Sequence, residues 1–128
     1  MQRVLTYTKT KMPWYKIAAA VSIFGFDFNL TTGRSSYVSY DRAIQLANRY
    51  GSTIQFDMRF QTPYFSYTDE QGQQHQVWFE NADSIRAKLR TAWNIGINGL
   101  ALWRLGLEDE NIWNVFANEA VVKKIIRP

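Results

Sequence analysis

The sequence predicts an α/β fold, with antiparallel α+β character in its middle part. Three observations carry this: two mainly apolar runs at residues 17–24 and 97–105, a strictly alternating stretch between them at 53–60, and capping residues ahead of the amphipathic segments. Continuous apolar runs mark strands buried on both faces, as in parallel sheets covered by helices. Strict alternation marks a strand with one wet face.

The elements follow in order. Residues 1–12 are helix-compatible though Thr-rich, and Pro13 stops them. The run Ile17-Ala-Ala-Ala-Val-Ser-Ile-Phe24 reads as a strand ending at Gly25, with a buried helix as the competing assignment because of the three alanines. Residues 29–36, rich in Thr, Ser and Gly, read as a loop. Ser39 caps a helix to Tyr50 with Ala43, Ile44, Ala47 and Tyr50 on one face, and Gly51 closes it. Over 53–60, Ile54, Phe56, Met58 and Phe60 share a face. Residues 64–67 and 75–79 are two more strands around a turn at 69–72, which makes an antiparallel meander. Asn81 caps a helix whose stripe is Ile85, Leu89, Ala92 and Trp93, ended by Gly96. The second apolar strand follows, and Asp109 caps a last helix carrying Ile112, Trp113, Val115 and Phe116. A parallel strand pair linked through a covering helix is the unit of an α/β barrel, yet a whole barrel needs roughly 200 residues or more. The 128 residues here cannot hold eight strands; they form a single domain, 1–128.

Composition narrows the function. With 46% hydrophobic and 16% aromatic residues the chain can build a core, so disorder is excluded. The rings exceed what a small core requires; large residues filling the core explain most of them, and a ligand-lining surface is the alternative. The net charge of +4 admits an anionic partner, but the basic residues are scattered and Lys123–Lys124 is the sole adjacent pair. Nucleic-acid binding therefore rests on little beyond the charge. No cysteine is present, which excludes disulfides, thiolate zinc sites and a Cys nucleophile. The longest apolar stretch, 17–28, is interrupted by Ser22, Gly25 and Asp27 and is too short for a bilayer, which needs about 20 apolar residues, so no membrane insertion is expected. No signal peptide opens the chain. The single histidine, His75, supports neither a Ser-His-Asp site nor a metal cluster and reads as structural or exposed. No metal and no cofactor are expected. Glu108, Asp109 and Glu110 sit at a helix start, where the helix dipole accounts for them.

Four segments then resemble one family. The segment from Lys16 to Phe28, an apolar run followed by Phe24-Gly25 and further aromatics, resembles the seventh barrel strand of family 18 glycoside hydrolases. Residues 29–80, with Gln61-Thr-Pro-Tyr-Phe-Ser-Tyr67, resemble the α+β insertion that this family carries between strands seven and eight. The stretch from Val77 to Leu89 is similar to the acidic strand end and helix that follow, and Gly96-Ile-Asn-Gly-Leu-Ala-Leu-Trp103 to the eighth strand. The likeness covers about 16–116 and is strongest to the bacterial branch of spore-cortex peptidoglycan glucosaminidases and deacetylase-fused enzymes. It implies the C-terminal portion of a (β/α)8 barrel whose parent acts on N-acetylglucosamine polymers of the chitin or peptidoglycan type, outside the cell or in its envelope.

The resemblance also implies what is lacking. The family's catalytic acid ends a DxxDxDxE motif at the fourth strand, and no such motif occurs here. The substrate's own N-acetyl group is the nucleophile in this family, an exception to the two-carboxylate scheme. No catalytic residue is therefore assigned, and the chain alone is expected to be inactive without the preceding barrel segment. Trp103, by residue type a core Trp, becomes through the resemblance the platform beneath the sugar. Phe24, where the family often has Tyr, is expected to line the same pocket. Asp27 either accepts a sugar hydroxyl or caps a turn, and Tyr64 and Glu80 stand where the insertion would overhang the cleft. Arg104 alternates away from Trp103 and is expected to pair with an acid. The competing reading is a free-standing carbohydrate-binding or protein-interaction module. Unpaired barrel strands would also expose backbone edges, so the isolated chain is expected to associate with a copy of itself.

Overall fold

A computed structural model describes residues 1–120. The chain opens with α1 (Gln2–Lys9), whose Leu5 is buried and whose Lys9 ammonium donates to the Ile95 carbonyl. A short 3₁₀ turn (Trp14–Lys16) leads into β1 (Ala18–Ser22). β2 (Gly25–Asn29) and β3 (Ser35–Val38) follow, then α2 (Tyr40–Arg49), β4 (Gln55–Asp57), β5 (Thr62–Thr68), β6 (Gln74–Trp78), α3 (Ala82–Asn94), β7 (Gly99–Trp103) and α4 (Ile112–Glu119).

Two sheets result. β1 and β7 pair in parallel, Ala18 opposite Gly99 through Ser22 opposite Trp103, and form a two-stranded sheet of their own. Everything from β2 to β6 is inserted between them and forms an antiparallel sheet in the order β3-β2-β6-β5-β4. Val38, Phe65, Tyr67, Val77 and Phe79 on one face of that sheet pack under Ala43, Leu46 and Ala47 of α2. The parallel pair rests on α1, α3 and α4: Leu5, Ala19, Ala92 and Ile97 make one cluster, and Val21, Ile23, Ile85 and Ile112 the next.

The caps read from the sequence hold. Ser39 accepts the N–H of Arg42 at 3.1 Å, and Asn81 forms a capping box with Ser84 at the start of α3. Gly51 and Gly96 close their helices at positive φ. Other expectations are corrected. The first apolar run is covered on one face only: Ala19 and Val21 are buried, whereas Ala18, Ala20 and Ser22 are exposed, because helices lie against one side of the pair alone among the described residues. Gly25 does not merely end a strand. It starts β2, and the expected loop shrinks to 30–34 because Ser35 already pairs with Phe28. The alternating stretch 53–60 is a strand only over Gln55–Asp57. The Asp57 carboxylate accepts the N–H groups of Arg59 and Phe60 and turns the chain, leaving Met58 and Phe60 exposed at the sheet edge. Asp109 does not cap α4, whose first flanking residue is Asn111. Buried Asp109 instead accepts the N–H of Ala82 at 2.9 Å and so ties the loop after β7 to the start of α3. Trp113, one of the four apolar residues read onto α4, is exposed, whereas Ile112 and Val115 are buried. The Lys123–Lys124 pair lies outside the described residues. No helix among those residues is long and apolar enough to cross a membrane.

Candidate functional site

The parallel pairing of β1 with β7 builds the site. Register places Ser22 beside Trp103, and the N–H of Ile23 donates to the Trp103 carbonyl at 2.9 Å, so the two strands run together to their C-terminal ends. Phe24 comes next in the chain. Phe24 and Trp103 line one cavity of about 370 Å³ with Tyr37, Ser39, Arg104 and Leu107. Trp103 is 68% exposed at this cavity. The peptide between Trp103 and Arg104 is cis. The rim is anchored to the insertion where the N–H of Tyr40 donates to the Leu107 carbonyl at 2.9 Å.

Arg104 differs from expectation: among the described residues its guanidinium has no acidic partner and it lines the cavity. The nearby Glu108 carboxylate is engaged by the N–H groups of Gly106 and Leu107, a loop-stapling role. No sequence-based expectation covers Tyr37, which falls between the loop expected at 29–36 and the helix cap at Ser39. Ser35-Ser-Tyr-Val38 carries no alternation that could have signalled it; the pairing of β3 with β2 puts Tyr37 on the open face and Val38 in the core. The lining offers rings, one hydroxyl-bearing serine and a guanidinium, and no carboxylate among the described residues. Such a cavity can hold a ring against an aromatic wall, but it has no group to protonate a leaving oxygen.

The other candidate residues lie elsewhere. Asp27 sits in a polar cluster on the α2 side of the sheet, where its carboxylate accepts the Tyr67 hydroxyl at 2.6 Å and faces His75 Nδ1 at 2.8 Å. Burial, with Asp27 second, pushes the Tyr67 phenol well above its ordinary pKa, so the proton stays on Tyr67 as donor. Asn29 accepts the N–H groups of Thr31 and Thr32 on its Oδ1, which directs its amide Nδ2 at His75 Nε2, 3.1 Å away. The Asp69 carboxylate lies 3.4 Å from the same nitrogen, so His75 is held between Asp27 at Nδ1 and Asn29 with Asp69 at Nε2. His75 is thus structural, joining β2, β5 and β6. Glu80 is buried, paired with Lys88 at 2.5 Å and accepting the Ser84 hydroxyl at 2.6 Å. Tyr64 stands on the open face of the sheet, stacked on Trp78 at 4.5 Å and donating to Gln55 at 2.7 Å. Of the five candidates, the structure brings together Phe24 and Trp103.

No family model matches the chain. Individual proteins do. The cortical fragment-lytic enzyme of Bacillus subtilis is 36% identical over 97% of this chain, which spans 30% of that protein. The crystal structure of the Bacillus cereus spore cortex-lytic enzyme SleL is 34% identical and superposes with a TM-score of 0.92 over 99% of this chain and 30% of the enzyme. A chitinase structure from Chromobacterium violaceum gives 28% identity and a TM-score of 0.79 over 88% of this chain and 35% of that one. The chain spans about 30% of the length of the relatives it matches. With its inserted antiparallel sheet between two parallel strands, the chain belongs to the family 18, chitinase-like glycoside hydrolases, of which it represents a portion. Within that family it falls in the branch of the bacterial spore cortex-lytic enzymes.

Proposed function

We propose that the chain is the C-terminal part of a (β/α)8 barrel, with β1 and β7 as its seventh and eighth strands and 29–80 as the α+β insertion. It supplies part of a cleft for an N-acetylglucosamine polymer of the peptidoglycan or chitin type, and the catalytic acid comes from the preceding part of the barrel. The observation that carries this reading is the shared cavity of Phe24 and Trp103 at the C-terminal ends of two parallel strands. That end is where barrel enzymes assemble their sites.

The physical case is stacking plus selective hydrogen bonding. An exposed indole presents a flat apolar face to the C–H face of a pyranose, while Ser39 and Arg104 offer hydrogen-bonding groups at the ring's edge. Asp27, Tyr64 and Glu80 take a second rank in this proposal. Asp27 and Glu80 shape the insertion through Tyr67, His75, Ser84 and Lys88, and Tyr64 faces solvent on the sheet. Supporting the barrel assignment, β1 and β7 pair only with each other among the described residues, so the outer edge of each is free for a neighbouring strand. An apolar groove of about 390 Å³ runs along β1 beside Val4, Leu5 and Thr8.

A domain-exchange experiment tests this. The chain replaces the matching C-terminal portion of the Bacillus cereus enzyme, and cleavage of cortical fragments is followed by reducing-end release. Turnover by the hybrid, lost in its Trp103→Ala form but not in Trp113→Ala, supports the proposal. A folded hybrid that turns over equally well with Trp103→Ala refutes the role of Trp103. Sugar binding by the chain together with an inactive, folded hybrid would favour a free-standing binding module.

A further inference from the structure

The cavity at the ends of β1 and β7 has one charged residue in its lining among the described residues, Arg104. β7 ends at Trp103, so Arg104 follows directly on the same wall, exposed to solvent. Elsewhere in the chain Arg49 pairs with Glu70, and Arg86 and Arg90 pair with Glu119. Arg104 forms no such pair among the described residues. Two of the acids that follow it are committed to backbone. Glu108 accepts the N–H groups of Gly106 and Leu107, and buried Asp109 accepts those of Ala82 and Asn111. Glu110 is exposed and makes no ion pair among the described residues. Beyond Ser39, Asp41 lies in the first turn of α2, where the helix N–H groups favour a carboxylate. A wall of aromatic rings thus carries a positive charge with no protein partner.

We propose that Arg104 selects the polymer: it binds the free lactyl carboxylate of a peptide-free N-acetylmuramic acid, so the cavity takes a peptidoglycan-type glycan in preference to neutral chitin. This inference rests on the sugar reading of the cavity and narrows its substrate class. The two polymers share β-1,4-linked pyranoses and acetamido groups, on which an indole stacks equally well. They differ at O3 of alternate rings, where peptidoglycan carries a lactyl ether that ends in a carboxylate. O3 adjoins the linkage oxygen O4, so this carboxylate lies beside the junction of two rings, whichever of them stacks on Trp103. A guanidinium next to the platform can meet it with two parallel N–H···O bonds. The rest of the lining, from Phe24 and Tyr37 to Leu107, brings no negative charge to oppose it. A neutral chain gains an ordinary hydrogen bond from Arg104, whereas the anionic chain gains a charge-assisted one. Complementarity of this kind sets specificity more than raw affinity.

The test is calorimetric titration of the full chain with two tetrasaccharides of equal length. One is the β-1,4-linked tetramer of N-acetylglucosamine; in the other, N-acetylglucosamine alternates with peptide-free N-acetylmuramic acid. The muramic tetramer should bind about tenfold tighter at low ionic strength, and added salt should narrow the gap. Its methyl ester should bind no better than the neutral tetramer, which reads the contact without altering the chain. Arg104→Gln should bring the two tetramers level. Arg104→Lys, which keeps the charge without the planar fork, should retain part of the difference. Trp103→Ala should weaken both ligands. Arg34→Gln removes the same charge from the loop between β2 and β3 and should leave the preference intact. Equal or weaker binding of the muramic tetramer, with Trp103→Ala weakening both, overturns the role of Arg104 and leaves the cavity reading standing. A preference that survives Arg104→Gln, or that Arg34→Gln removes as well, also overturns it, because another group or the net charge is then responsible. Failure of both tetramers to bind overturns the cavity reading and this inference with it.

Discussion

Replacing Gly25 with alanine should unhinge the inserted sheet from the parallel pair. Gly25 is the first residue of β2, three residues after β1 ends, and it crosses β6 at close range. A Cβ there would lie 2.5 Å from the Trp78 carbonyl oxygen, 2.6 Å from the Phe79 Cβ and 2.8 Å from the Phe79 Cα. Two of these atoms are backbone. Phe79 is 2% exposed and held edge-on by Phe65, so it has nowhere to retreat. Overpacking of this kind costs about 1–3 kcal/mol, and rigid neighbours put Gly25→Ala at the upper end. At about 3 kcal/mol the thermal midpoint of a chain this size falls by roughly 10 °C. Gly33→Ala is the control: its Cβ meets nothing within 4 Å, and the residue sits at φ +73°, so it loses only about 1–2 kcal/mol of left-handed strain. Urea unfolding followed by circular dichroism separates the two. A Gly25→Ala variant no less stable than Gly33→Ala would refute the close crossing of β2 and β6.

Three more outcomes follow from the geometry. Lys88→Met strands the buried Glu80 carboxylate and should cost about 2–3 kcal/mol, below the usual figure for a broken buried pair because Ser84 still donates; adding Glu80→Gln should return most of the loss in urea titrations. The hydrogen bond from Arg86, with the charge of Arg90 beside it, holds the Glu119 carboxyl below its ordinary pKa. Its contribution to stability is therefore complete above the ordinary carboxylate range and fades as pH falls through the lowered folded value. The stability gap between the parent chain and Glu119→Gln should narrow as pH drops below about 4, read by acid titration of the unfolding midpoint. Finally, the unpaired edges of β1 and β7 predict self-association of the isolated chain, and light scattering that shows a monomer from micromolar to millimolar concentration would contradict this.

What could be read from the sequence was local or strongly patterned. The Ser39 and Asn81 caps depend on contacts three residues away, and both formed as expected. The β1–β7 pairing was within reach because two apolar runs separated by a helix have few other partners. β2 stayed hidden because its partner β6 is some fifty residues off and its five residues alternate weakly. The 53–60 stretch misled for a related reason: alternation fixes which residues share a face, but not whether anything covers it, and Asp57 ends the strand through its own turn. At the site, Trp103 and Phe24 were named from family likeness rather than from pattern. Tyr37 was illegible because its place at the cavity exists only through the register of β3 on β2. Asp27 and His75, 48 residues apart, meet for the same reason.

Trp103 decides the account. The chain has five tryptophans, so its indole N–H signals form a small set that Trp→Phe variants can assign. Titration with the N-acetylglucosamine trimer, followed in ¹H–¹⁵N correlation spectra, should move the Trp103 indole signal and leave Trp113, on α4, in place. A trimer that binds while the Trp103 signal stays still would place the sugar elsewhere and contradict the cavity at the ends of β1 and β7.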